Sequence, residues 1–355
     1  MSGLPAHVLE RLQNFDQDMV DLMKSVAPEK ATQVDAHIRR FNVIFERDDQ
    51  AARIRFFTRP TRDQTSRIIG VGIRCLPRLW ATAYAYLELY QVAADESAGR
   101  QEGGAVDIEL AARPALDVAR GLLTWATQNE LKVRGDDARG GTLEGFEEHP
   151  PKELPEPYAP GLDGSTQHIA TELSHIALAF ILHHELAHIY CGHIGLNEDL
   201  VRWLKMRIRN EKRKKKAALE RELEWEYSGH IQNEKQADTE AANWLLGNAD
   251  TPDKLFKRSL GVAIALSWLA VSDAYIGPTN SPAYPPGYDR LYQTLMKYLD
   301  DPDHPTWAVT AFVLMLHLQN AGKWEPNPDG YTSFRAIASW GVDILARESR
   351  YSKEP

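Results

Sequence analysis

The chain has 355 residues, a formal net charge of −9, 43% apolar residues and two cysteines. That length accommodates one large or two medium domains with a substantial core, and the acidic balance argues against general nucleic-acid binding. Cys75 and Cys191 show no pairing pattern, no basic-then-apolar leader opens the chain, and the longest uncharged apolar runs (259–272 and 305–320) fall short of the ~20 residues of a membrane span; a soluble, cytoplasmic protein is expected.

Residues 1–48 read as helix, with Val8, Leu9, Leu12 and Phe15, then Met19, Leu22 and Met23, at helical spacing. Residues 50–74 carry Ile54, Phe56, Ile68, Ile69, Val71 and Ile73 around the turn-forming Arg59-Pro60-Thr61, which predicts a β-hairpin or small sheet. Helix resumes at 76–93, where Trp80, Tyr84, Tyr86 and Tyr90 form an aromatic stripe suited to a core. A turn at 99–104 and an amphipathic helix at 114–131 follow. Residues 134–164, with Pro150, Pro151, Pro155, Pro157 and Pro160, read as an extended loop, either a linker or a lid over a cleft.

Residues 165–191 read as a helix that is apolar almost all round and therefore buried, capped by Ser165 or Thr166 and ending near Gly192. It carries His184-Glu185-Leu186-Ala187-His188, an HExxH pattern. Four residues apart on a helix, His184 and His188 project from one face and can share a zinc ion, with Glu185 placed to take a proton from a bound water. A buried helix with ordinary core histidines is the competing explanation, and the polar groups of a buried HExxH then lack partners. His193, about 140° from His188 around a continued helix, is not assigned as a ligand.

A strongly charged stretch occupies 197–228. Lys205, Arg207, Arg209, Lys212, Arg213, Lys214, Lys215 and Lys216 precede Glu220, Glu222, Glu224 and Glu226. It reads as a helical hairpin in solvent, or as an arm in which the basic block 205–216 docks an acidic partner. A second amphipathic helix begins near Asn233. Its Glu234 can complete a three-ligand zinc site, and its Asp238, one turn on, can accept a ligand histidine's free N–H; Glu-x-x-x-Asp on a solvated face is the plainer alternative. His230, four residues before Glu234, can approach the metal or be a satisfied surface histidine, the plainer alternative. Helices are expected at 255–275, 288–299, 305–318 and 334–345. The chain divides into 1–132, 133–164, 165–250 and 251–355, mainly α with a small N-terminal β element, as two lobes around the metal.

In Phe180–His188, Glu234–Asp238, Asn243–Asn248, Lys257–Val262 and Tyr288–Tyr292, taken in order, the chain resembles the Lit-type phage-exclusion peptidases, a group of gluzincin metallopeptidases. The resemblance implies a zincin-like fold and a cytoplasmic zinc endopeptidase that cleaves a host protein, elongation factor Tu in one branch, under an activating phage factor. It places the zinc ligands on His184, His188 and Glu234, and the general base on Glu185. Where the family has His-Pro, this chain has Tyr284-Pro285, so Tyr284 would serve as a phenol donor to the oxyanion. Arg290 fits an oxyanion or substrate clamp, or pairs with Asp289 or another carboxylate. Two further classes are weighed. A regulatory or partner-binding protein on the same scaffold would not need Glu185. A nucleic-acid binder would use the basic block, but that block lacks interleaved aromatics.

Overall fold

The computed structural model describes residues 14–48, 56–61, 65–72, 75–99, 114–137, 164–193, 198–211, 213–276 and 285–351. Helix α1 (Phe15–Val26) buries Met19, Val20 and Met23, and a turn at Pro28–Lys30 leads into α2 (Ala31–Phe41). Sequence reading continues this helix to Asp48, but the structure ends it at Phe41. Asn42 adopts φ 50, the left-handed conformation that closes helices, and turns the chain into a strand. That strand, β1 (Val43–Asp48), alternates buried Val43 and Phe45 with exposed Ile44 and Glu46. With β2 (Phe56–Pro60) and β3 (Arg67–Gly72) it forms a sheet of order β1-β3-β2, parallel between β1 and β3 and antiparallel between β3 and β2. The expected hairpin is therefore present, and β2 lies at the sheet edge.

The other elements of the described chain are helices: α3 (Cys75–Gly99), α4 (Pro114–Asp137), α5 (Gly164–Tyr190), α6 (Glu198–Asn210), α7 (Arg213–Leu246), α8 (Pro252–Ile276), α9 (Gly287–Met296), α10 (Pro305–Asn320) and α11 (Phe334–Tyr351). The fold is mainly α with one small sheet. The proline-rich stretch read as a loop lies outside the described residues, apart from its first residues in α4 and Gly164 at the start of α5.

Helix α5 is the central element, packed by α3, α7, α8 and β2. Its apolar residues surround the axis, so Leu173, Ala177, Phe180, Leu182, Leu186 and Ala187 are all buried. The approach of α8 is set by Gly261, where a Cβ would overlap the Ile176 side chain; glycine permits the two backbones to meet. Arg258, also on α8, is buried and donates to the carbonyls of Leu245 at 2.9 Å and Val26 at 3.0 Å, while pairing with Glu29. One side chain thus ties the ends of α1 and α7 to α8. Most buried apolar side chains form one connected cluster from Met19 to Leu345.

The charged stretch is a hairpin of α6 and the first half of α7, held by a small separate cluster of Val201, Leu223 and Tyr227. Its second arm and the helix of Glu234 are one continuous helix of 34 residues, ~50 Å long at 1.5 Å per residue. Trp203, Met206 and Trp225 remain 45%, 53% and 78% exposed on it, an unusual display of large apolar groups. No described helix is long and apolar enough to cross a membrane.

Candidate metal centre

His184 and His188 stand one turn apart on α5 and face α7. Their Nε2 atoms are 3.1 Å apart. Glu234 closes the triangle, with Oε2 at 3.5 Å from His184 Nε2 and Oε1 at 3.5 Å from His188 Nε2. These edges match the ~3.3 Å separation of donors around a tetrahedral ion with bonds of ~2.0–2.1 Å. The set of two imidazole nitrogens and one carboxylate, all within 4.8 Å of one another and mostly buried, therefore fits a metal ion.

The charges favour a cation at this point. Burial alone would lower the His184 pKa, but Asp238 and Glu234 override it and raise it to about 10. Burial would raise the Glu234 carboxyl, yet His184 and Arg290 bring it to about 2. Burial lowers His188 to about 3, and the neighbouring His184 adds to this. Glu234 and Asp238 thus favour positive charge at His184, where a bound ion would place it.

Asp238, one turn beyond Glu234 on α7, puts Oδ1 at 3.0 Å from His184 Nδ1, an ion-pair contact set off the ring N–H axis. Arg290 on α9 grips Asp238 with Nε and Nη2, both at 2.7 Å, and reaches Glu234 Oε2 with Nη1 at 3.3 Å. Of the pairings open to Arg290 in the sequence, the structure shows the one with Asp238; Asp289 instead lies 3.8 Å from Lys235. Tyr284 lies outside the described residues.

Glu185 points to the sheet. Thr58 on the edge strand β2 donates its hydroxyl to Glu185 Oε2 at 2.8 Å. Burial raises the Glu185 pKa, opposed by the neighbouring His184 and by this hydrogen bond. A carboxylate held still, with its proton affinity increased, is suited to general-base work.

Thr58 and the placement of His193 escape a reading from sequence, and His230 lies nearer the candidate ligands than a surface residue would. Thr58 is 127 positions from Glu185 and belongs to no motif. His230 is buried rather than superficial, with Nε2 at 3.7 Å from Glu234 Oε1. His193 reaches the outer nitrogen of His188, Nδ1 to Nδ1 at 3.0 Å. A glycine followed by histidine at the end of the HExxH helix was the available signal for the last.

The profile of the family Peptidase U49 matches residues 69–310, from β3 into α10. The chain belongs to this family. The chain is also similar to the cell death peptidase of Escherichia coli (strain K12), 24% identical over 244 residues, which covers 68% of this chain and 66% of that protein. The match thus spans just under two thirds of the relative's length. No solved structure matches. The family match covers all three candidate ligands, Glu185, Asp238 and Arg290, and excludes Thr58.

Proposed function

We propose that the chain is a zinc-dependent endopeptidase that cleaves a host protein in the cytoplasm during phage exclusion, with elongation factor Tu as the first substrate to test and a phage factor as activator. Membership of a peptidase family supports the hydrolase class. The observation that carries the reading is the convergence of His184 Nε2, His188 Nε2 and the Glu234 carboxylate, with Glu185 next on the same helix. A structural metal site has no use for that glutamate.

A bound zinc ion would lower the pKa of water from ~15.7 toward ~7 and polarise the scissile carbonyl. His184, His188 and Glu234 would hold it. Glu185 accepts the water proton at its carboxylate and passes it to the departing amine. Asp238 steadies His184, and Arg290 holds Asp238 and Glu234 in place. Tyr284 is assigned to the oxyanion as a phenol donor. The α6–α7 hairpin, with its basic block and exposed Trp203, Met206 and Trp225, docks an acidic segment of the protein substrate.

The test is zinc content and cleavage of purified elongation factor Tu by the wild type, Glu234→Ala and Glu185→Gln. The wild type should hold about one zinc per chain, Glu234→Ala should lose it, and Glu185→Gln should keep it without cutting. A wild type free of zinc after chelator-free purification would end the reading. Cleavage by Glu185→Gln would end the mechanism. A zinc-loaded wild type that leaves elongation factor Tu intact would remove this substrate alone.

A further inference from the structure

Helix α5 ends in a turn that returns to its own metal-facing residue. Gly192 adopts φ +71, a conformation glycine takes without the cost of a Cβ. The His193 N–H donates to the His188 carbonyl at 2.9 Å and the Gly192 N–H to the Ile189 carbonyl at 3.1 Å. This left-handed closure satisfies carbonyls that the helix end leaves free. It also reverses the path of the chain, so that His193 lies over His188 instead of 140° around a continued helix.

The side chains then form a directed chain. His193 Nδ1 is 3.0 Å from His188 Nδ1, and His193 Nε2 is 3.2 Å from Gln236 Oε1. Gln236 turns its amide nitrogen to Cys191 Sγ at 3.6 Å, which leaves its oxygen for His193. A carbonyl oxygen only accepts, so the neutral form of His193 carries its proton on Nε2 and accepts at Nδ1. His188 must therefore hold its proton on Nδ1, and its Nε2 lone pair is left facing Glu234 and His184.

We propose that His193 is a positioning residue that fixes His188 in the tautomer able to bind metal through Nε2, with Gln236 fixing His193 in turn. The proposal rests on the metallopeptidase reading above and extends it. The two candidate histidine ligands are steadied differently. His184 leans on the charged Asp238–Arg290 pair, whereas His188 leans on a hydrogen-bonded chain built from the helix cap and the next face of α7. Partners of this kind commonly contribute 10–100-fold to metal affinity.

The experiment compares zinc affinity, by chelator competition, in the wild type, His193→Phe, His193→Asn and Gln236→Glu. A phenylalanine keeps a ring but no acceptor, and affinity should fall about 10–100-fold. An asparagine returns an acceptor oxygen near the Nδ1 position and should recover most of the loss. Gln236→Glu retains the acceptor for His193 Nε2–H and should bind zinc at least as well as the wild type. In 15N spectra of the zinc-loaded wild type, His188 should show a protonated Nδ1 and a metal-bound Nε2. Thermal unfolding of the metal-free proteins should be alike, which separates positioning from folding. Wild-type affinity in His193→Phe, an asparagine variant as weak as the phenylalanine one, or a metal-bound His188 Nδ1 would overturn the proposal. A wild type that takes up no zinc would overturn the peptidase reading and this proposal together.

Discussion

Arg290 lays its guanidinium along the Asp238 carboxylate, Nε on Oδ2 and Nη2 on Oδ1, each at 2.7 Å. Its third nitrogen, Nη1, lies 3.3 Å from Glu234 Oε2. One cation thus holds both the carboxylate behind His184 and the carboxylate that would bind metal. Lysine offers a point charge and cannot reproduce the fork. Arg290→Lys should therefore weaken zinc binding about 10–100-fold, read by chelator competition. A direct role at the oxyanion would instead leave zinc affinity intact and lower turnover, by ~10²–10³ where such donors have been removed. Unchanged zinc affinity in Arg290→Lys would return this residue to the oxyanion.

Thr58 offers a separate test, because it touches the proposed base and none of the candidate ligands. Valine has nearly the same shape and lacks the hydroxyl that donates to Glu185 Oε2. A hydrogen bond to a charged group contributes about 1.5–3 kcal/mol. Thr58→Val should lower kcat/KM about tenfold or more on any substrate the wild type cleaves. Zinc content should be unchanged. A loss of zinc in the variant would mean that the strand supports the metal and not the base.

The parts legible in the sequence are those written at helical spacing. His184 and His188 repeat at one turn, as do Glu234 and Asp238, and the long helices show their period over many residues. The remainder depends on where elements stop or meet. Strand β1 is six residues long, and its start is set by the backbone of Asn42. The geometry of His193 follows from Gly192 ending α5, so an angle computed for a continuing helix has no bearing on it. The charged residues of α7 suggest a boundary before Asn233, yet residues such as Ala, Glu, Lys and Arg favour helix, and the helix runs from Arg213 through Leu246. Thr58 joins Glu185 through tertiary packing alone.

Gly261 connects a family-like stretch to the packing of the central helix. A Cβ there would overlap Ile176, two turns before His184 on α5. Gly261→Ala should destabilise the protein by about 1–3 kcal/mol, the range for overpacking, in denaturant unfolding. Gly121, on α4, has nothing within 4 Å of its hypothetical Cβ. Gly121→Ala should stabilise by ~0.5–1 kcal/mol, through helix propensity. Equal effects of the two substitutions would show that α8 does not approach α5 at Gly261.

His317 gives the fold an acid-sensitive element remote in sequence from the metal site. It lies in α10, where Trp307 through Leu318 are all buried, and burial lowers its pKa to about 3. The unfolded value is ~6.5. Because the folded value is the lower one, the stabilising contribution is complete above the unfolded pKa and is lost as pH falls from ~6.5 toward 3. Each unit of pH in that window costs about 1.4 kcal/mol. Urea unfolding of the wild type and His317→Met at pH 7 and pH 5 should show the wild type losing about 2 kcal/mol more than the variant. His183, also lowered to about 3 by burial, is present in both proteins and cancels in the difference. Equal losses in the two would mean that His317 is charged in the folded state, against its setting among apolar side chains.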